Sequence, residues 1–174
     1  RISVPLPLLC ALLFAIGMTA TAAEPADILI TGGTVLTMAG PNIETGSVVI
    51  RDGQIVEVGP SAQVDARYTA RTVIRAGGHA VLPGFVNAHT HLPMTLFRGI
   101  GDDRDLMDWL TNFIFPAEAR NVDRDFVKWG TRLAAVEMIR SGTTTFGDMY
   151  YFESDIARES KAAGLRAVLG ETLI

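Results

Sequence analysis

Between residues 26 and 80 the apolar positions fall in short clusters broken by glycine and charged residues, which is the pattern of strands rather than helices. Ile28-Leu29-Ile30 and Thr34-Val35-Leu36 flank Gly32-Gly33, while Ser47-Val48-Val49-Ile50-Arg51 and Gln54-Ile55-Val56-Glu57-Val58 flank Asp52-Gly53. The second pair predicts a hairpin closed by a type I′ turn, whose two central residues both need positive φ. A further strand, Thr72-Val73-Ile74, ends at Gly77-Gly78. Four or five such strands make a small sheet or half of a sandwich.

Beyond His91 the period changes. Phe126, Trp129, Leu133 and Val136 recur at helical spacing and predict a helix over 123–140, with Asn121 or Asp123 as N-cap and Gly142 just past its end. Residues 143–149 read as a strand, 154–163 as a second helix closed by Gly164, and 165–169 as another strand. With the apolar run before His89 as its first strand, this is β-α-β-α-β. Parallel strands joined by helices leave a doubly wound sheet or the opening of a (β/α)8 TIM-type barrel. No Gly-x-Gly-x-x-Gly stands at the first strand-to-helix turn, and the residues with chemical potential lie at a strand's C-terminal end. Both favour the barrel. The expected fold class is therefore α/β, the N-terminal part of such a barrel preceded by a small β-sandwich half, both incomplete. The expected divisions are 1–23, 24–80 and 81–174.

The first of these divisions carries no charge between Ile2 and Ala23, is apolar from Leu6 to Met18, and ends in small residues around Ala20-Thr21-Ala22. With Arg1 in front, it reads as a secretory signal peptide, which places the protein in the periplasm or outside the cell. A membrane-anchoring helix is the alternative if the leader is kept. Pro5, Pro7 and the short apolar run argue against a full span. Cys10, the sole cysteine, lies in this leader, so the remainder is expected to hold no thiol and no disulfide. The chain starts at Arg1 and stops at Ile174 directly after a strand-like run, which suggests a fragment. Its net charge of −4 becomes −5 without Arg1, and no basic run is present, so nothing favours nucleic acid as a partner.

Candidate chemistry concentrates in Leu82-Pro83-Gly84-Phe85-Val86-Asn87-Ala88-His89-Thr90-His91, where two of the three histidines stand one residue apart at the end of the expected strand. Residues i and i+2 of a strand point to one side, so both imidazoles can reach one ion at about 2.1 Å. A surface or hydrogen-bonded pair is the alternative. A metal ion held there would acidify water for attack on an electrophilic carbon.

The run from Pro83 to Gly99, containing His89-Thr90-His91-Leu92-Pro93-Met94, resembles the first metal motif of the amidohydrolase superfamily. The likeness continues through Asp108-Trp109-Leu110, Phe115-Pro116-Ala117-Glu118 and Gly142-Thr143-Thr144-Thr145-Phe146-Gly147-Asp148-Met149. More narrowly, the chain is similar to the branch of S-adenosylhomocysteine and methylthioadenosine deaminases and triazine chlorohydrolases. The resemblance implies that His89 and His91 bind one divalent ion, zinc or a similar metal. It implies that Glu118 receives the ribose hydroxyls of a nucleoside-like substrate, a task suited to a carboxylate facing a vicinal diol. A solvated helix residue, or a salt bridge to Arg120 or Arg124, is the alternative for Glu118. Trp109 could flank the base or belong to the core.

What the resemblance implies for activity is an aminohydrolase of adenosine-type or related N-heterocyclic small molecules. A chlorohydrolase, a cyclic-amide hydrolase and a non-catalytic relative remain as rivals. In the family the other ligands and the proton-transfer groups come from later strands, so no catalytic residue is expected within this chain, and the fragment alone is expected to be inactive. Asp148 is expected to orient loops or neighbouring ligands, His79 to be a surface residue, and Arg98 to bond backbone carbonyls rather than an anionic substrate.

Overall fold

The computed structural model describes residues 22–173, so the leader expected over 1–23 lies, apart from its last two residues, outside the described residues. The chain divides into two compact units between Leu82 and Pro83. No helix among the described residues is long and apolar enough to cross a membrane.

The first unit is a five-stranded mixed sheet. Its strands are β1 (Glu24–Val35), β2 (Ile43–Arg51), β3 (Gln54–Pro60), β4 (Tyr68–Arg75) and β5 (Ala80–Val81). β3, β2 and β1 pair antiparallel in that order, and β4 and β5 run parallel to successive halves of β1. The Asp52-Gly53 hairpin forms as expected, with both residues at positive φ and Arg51 opposite Gln54. Gly32-Gly33 does not separate two strands. β1 runs straight through it with a register irregularity on either side of Gly33. The reason is a close approach: a Cβ on Gly33 would lie 2.9 Å from the Ala76 Cβ, where the chain passes from β4 to β5. A short helix, α1 (Ser61–Val64), and a 3-10 turn, Asp65–Arg67, cover the sheet. Val64 packs with Ala26, Leu29 and Val49. Asp65 fastens this segment down by accepting from the Thr31 and Ser47 hydroxyls, both at 2.6 Å.

The second unit holds a three-stranded parallel sheet in the order β6 (Phe85–Thr90), β7 (Thr143–Tyr150), β8 (Arg166–Glu171). A 3-10 segment, Leu92–Phe97, follows β6. Next come α2 (Leu106–Trp109), a π-helical turn at Leu110–Ile114, α3 (Phe115–Asn121) and the long α4 (Arg124–Ser141). After β7, α5 (Glu153–Ala162) leads into β8. Of the two expected N-caps of α4, Asp123 does the work, accepting from the Phe126 N–H at 2.8 Å, and Gly142 ends the helix in the left-handed region. The core gathers Leu92, Val127, Ala134, Met138, Phe146, Tyr150 and Ile156.

One expectation needs correction. The apolar run before His89 has the pattern of a buried strand, yet β6 is exposed along most of its length, because β7 is its only strand partner among the described residues. Helical spacing left the packing face of α4 open: Trp129, Leu133 and Val136 are exposed and Phe126 packs beside the core, while Val127, Gly130, Thr131, Ala134, Ala135 and Met138 are buried. Close approach explains the choice of face. A Cβ on Gly130 would fall 2.6 Å from both the Cα and the carbonyl oxygen of Pro93, so only the small-residue side of α4 fits against the segment after His91.

Because Pro93 offers backbone there rather than a flexible side-chain tip, Gly130→Ala is expected to cost about 1–3 kcal/mol of stability. Urea unfolding of the intact protein measures this, and an unchanged midpoint would contradict the close approach.

Candidate metal centre

His89 is the next-to-last residue of β6, and His91 follows the strand as its backbone turns into the 3-10 segment. Strand alternation brings the two imidazoles to one side. Their Nε2 atoms are 3.3 Å apart and their rings stand nearly perpendicular, at 85°. Two nitrogens bound at about 2.0–2.1 Å to one tetrahedral ion stand about 3.3 Å apart, so the pair already has the spacing of one edge of such a site. The His91 Nδ1 lies 2.5 Å from the Met149 carbonyl. A carbonyl can only accept, so Nδ1 carries the proton and Nε2 keeps its lone pair free for a ligand. No group of three or more His, Cys, Asp or Glu side chains that could hold a metal occurs among the described residues.

β7 supplies the supports of this pair. Asp148, buried opposite Thr90 in the sheet register, accepts through Oδ1 from the Thr90 hydroxyl at 2.5 Å and from the Leu92 N–H at 2.9 Å. The two donors sit on either side of His91, so one carboxylate oxygen fixes the backbone before and after it. Asp148 thus holds the turn on both sides of His91.

Tyr150, two residues further along β7, places its ring 6.3 Å from that of His91 and donates its hydroxyl to Glu118 Oε1 at 2.8 Å. Burial in the first place, and the Glu118 carboxylate in the second, push the Tyr150 hydroxyl far above its usual range, so it remains a donor. Glu118 on α3 is therefore held one side chain away from the histidine pair. The salt bridges weighed for it do not form among the described residues: Arg120 donates to the Pro116 carbonyl and Arg124 pairs with Asp155.

Trp109 lines a cavity of about 550 Å³ together with His89, His91 and Met94, and its indole N–H donates to the Ile100 carbonyl at 2.8 Å. Glu118 lines a neighbouring cleft of about 580 Å³ with Phe115, Val122, Tyr151 and Phe152. The two residues expected to touch substrate thus face separate cavities, and Tyr150 stands between the histidines and the second one. Arg98 departs from expectation: its guanidinium makes two bonds to the Glu137 carboxylate, at 3.1 and 2.7 Å, and none to a backbone carbonyl among the described residues. That partnership holds Glu137 below its ordinary range. His79 is exposed, with Nδ1 3.0 Å from the Gly77 carbonyl.

The sequence profile of the amidohydrolase family matches residues 80–174. The 5-methylthioadenosine/S-adenosylhomocysteine deaminase 1 of Syntrophus aciditrophicus is 52% identical over 152 residues, covering 86% of this chain and 34% of that protein.

The chain belongs to the amidohydrolase family.

The 5'-deoxyadenosine deaminase of Methanosarcina mazei is 51% identical over 152 residues, again 86% of this amidohydrolase chain and 34% of the relative. An adenosine deaminase from Xanthomonas campestris, crystallised with bound zinc, superposes with a TM-score of 0.81 at 40% identity, covering 84% of this chain and 34% of that one. The chain spans about a third of the length of these relatives. Its α/β architecture is the amidohydrolase fold.

Tyr150 is the functional-site residue that sequence reasoning passed over. Its one signal is its place two residues after Asp148, on the same side of β7. Tyr150→Phe keeps the ring beside His91 and removes only the bond to Glu118. A loss of about 1.5–3 kcal/mol in unfolding free energy is expected, the range for a hydrogen bond to a charged group. Chemical denaturation reads it, and an unchanged midpoint would break the link between Glu118 and the histidine pair.

Proposed function

We propose that the whole protein is a metal-dependent aminohydrolase that replaces the exocyclic amino group of an adenosine-type N-heterocycle by oxygen from water and releases ammonia. The observation that carries this reading is the 3.3 Å separation of the His89 and His91 Nε2 atoms, with the Glu118 carboxylate tied beside them through Tyr150. The names of the relatives, deaminases of methylthioadenosine, S-adenosylhomocysteine and 5'-deoxyadenosine, support the substrate class.

In this reading His89 and His91 hold one divalent ion through Nε2, and zinc is the choice that suits two imidazoles at this spacing. When bound, such an ion acidifies water for attack on an electrophilic ring carbon. The chain's own residues bind and orient. Glu118 receives the vicinal hydroxyls of a nucleoside: Tyr150 occupies Oε1, and Oε2 remains to accept from the sugar. Trp109, its N–H committed to Ile100, presents an apolar ring to the base.

We read residues 81–174 as the opening of a (β/α)8 barrel with β6, β7 and β8 as its first three strands. The sheet of 24–80 is then half of a composite sandwich. Residues 1–23 serve in this reading as an export signal, giving a periplasmic or secreted enzyme.

His89→Ala and His91→Ala are each expected to remove zinc from the purified intact protein and to abolish ammonia release from adenosine analogues. Wild-type zinc content in both variants would sink the metal assignment. Glu118→Gln is expected to keep zinc and raise KM for nucleosides about tenfold or more, with little change for the free base. Activity on triazines or cyclic amides in place of nucleosides would replace the proposed substrate class.

A further inference from the structure

Behind the histidine pair lies a second carboxyl that the reading above does not use. Glu153, the first residue of α5, is buried, as is Asp148. Among the described residues, three oxygens of these two side chains, Asp148 Oδ2 and both Oε atoms of Glu153, are enclosed without a hydrogen bond of good geometry. Two ionised carboxylates side by side there would leave these acceptors short of donors, a costly state at low dielectric. One shared proton removes the conflict, because a carboxylic acid donates to a carboxylate in a short, charge-assisted bond.

We propose that Glu153 carries this proton in the folded protein, donates it to Asp148 Oδ2, and so acts as a positioning residue for the turn that holds His91.

The assignment of the proton to Glu153 follows from the neighbours of each group. Asp148 Oδ1 already accepts from the Thr90 hydroxyl and the Leu92 N–H, so the oxygen left to face Glu153 is Oδ2. The charged groups acting on Glu153 are acidic, Asp148 from β7 and Glu171 from β8. Glu171 is itself an acceptor, taking the Phe152 and Glu153 N–H groups at 2.9 and 2.8 Å. The cations that α4 directs toward α5 are committed elsewhere, Arg124 to Asp155 and Arg132 to Glu159. Burial first, and the charge of Asp148 next, push the Glu153 carboxyl from 4.5 up to about 7, with the Tyr150 N–H opposing. The consequence for the histidines rests on the proposed metal reading; the proton itself does not.

The sign of the pH dependence follows from a folded-state value above the unfolded one. The stabilising contribution of the protonated pair is full below about 4.5 and is lost progressively as the pH rises to about 7.

The test compares the intact wild-type protein with Glu153→Gln and Glu153→Ala. Glutamine keeps the shape and a donor toward Asp148 but cannot ionise. Infrared spectra of the wild type are expected to show a buried protonated-carboxyl band that fades toward pH 7 and is absent from Glu153→Gln. Thermal midpoints are expected to fall from pH 4.5 to about 7 more steeply in the wild type than in Glu153→Gln. Zinc affinity of Glu153→Gln should stay near that of the wild type, with Glu153→Ala about tenfold weaker, as for loss of other groups that support metal ligands. An infrared spectrum unchanged by Glu153→Gln, or identical pH slopes, would overturn the protonated assignment. A zinc affinity in Glu153→Gln as weak as in Glu153→Ala would overturn the positioning role. Wild-type protein that takes up no zinc defeats the metal reading instead, and the infrared band and pH slope still decide the state of Glu153.

Discussion

A single carboxylate oxygen carries the geometry of the second unit. Asp148 Oδ1 accepts from Thr90 and from Leu92, the residues on either side of His91. A buried carboxylate loses much of its hydration, and two donors aimed at one oxygen offset that loss while ordering the chain that supplies them. His91 is fixed as a result, with its Nδ1 proton turned to the Met149 carbonyl and its Nε2 turned toward that of His89. From there the order spreads outward, through the Tyr150 ring to Glu118 and through the 3-10 segment to the cavity that Trp109 lines.

The first unit uses the same device for a different end. Asp65 spends both oxygens on hydroxyls of β1 and β2 and so holds the α1 segment against its sheet. In each unit a short polar side chain connects irregular backbone to a strand, while apolar packing supplies the bulk of the stability around it. Gly130 completes the arrangement in the second unit, since it lets the α4 backbone reach Pro93 and close off the side of the turn that the carboxylate does not hold. Polar bonds set the position of the turn, and close packing limits where else it could go.

The parts of this structure governed by neighbours in sequence were legible in advance. Alternation along β6 brings two imidazoles together whatever the rest of the fold does, Asp123 and Gly142 bound α4 by local capping chemistry, and Asp52-Gly53 makes its hairpin. Glu118 and Trp109 came into view only through family resemblance, because nothing in their local sequence distinguishes a ligand contact from a core or surface residue. A local signal with two tertiary meanings does not choose between them. Glycine pairs mark turns and bulges alike, and Gly32-Gly33 serves as the second because β4 gives way to β5 beside it. Helical spacing shows that α4 is a helix but not which side it buries; close approach to Pro93 selected the small residues over Trp129, Leu133 and Val136. Tyr150 reaches from β7 to Glu118 on α3, and beyond its place two residues after Asp148 no local pattern records that bond.

The pairing of Thr90 with Asp148 has a further consequence for how this site can change. Three consecutive residues of β7 serve the same imidazole: Asp148 by its side chain, Met149 by its backbone carbonyl, and Tyr150 by its ring. Side chains on a strand alternate with a period of two, so sliding β7 by one residue against β6 would turn the carboxylate and the phenol away together and bring Gly147 and Met149 to their side. Point substitutions can erode these contacts one at a time. A single-residue insertion or deletion within β7 removes them all at once, so replacement tunes the histidine pair while a change in the length of the supporting strand dismantles its surroundings.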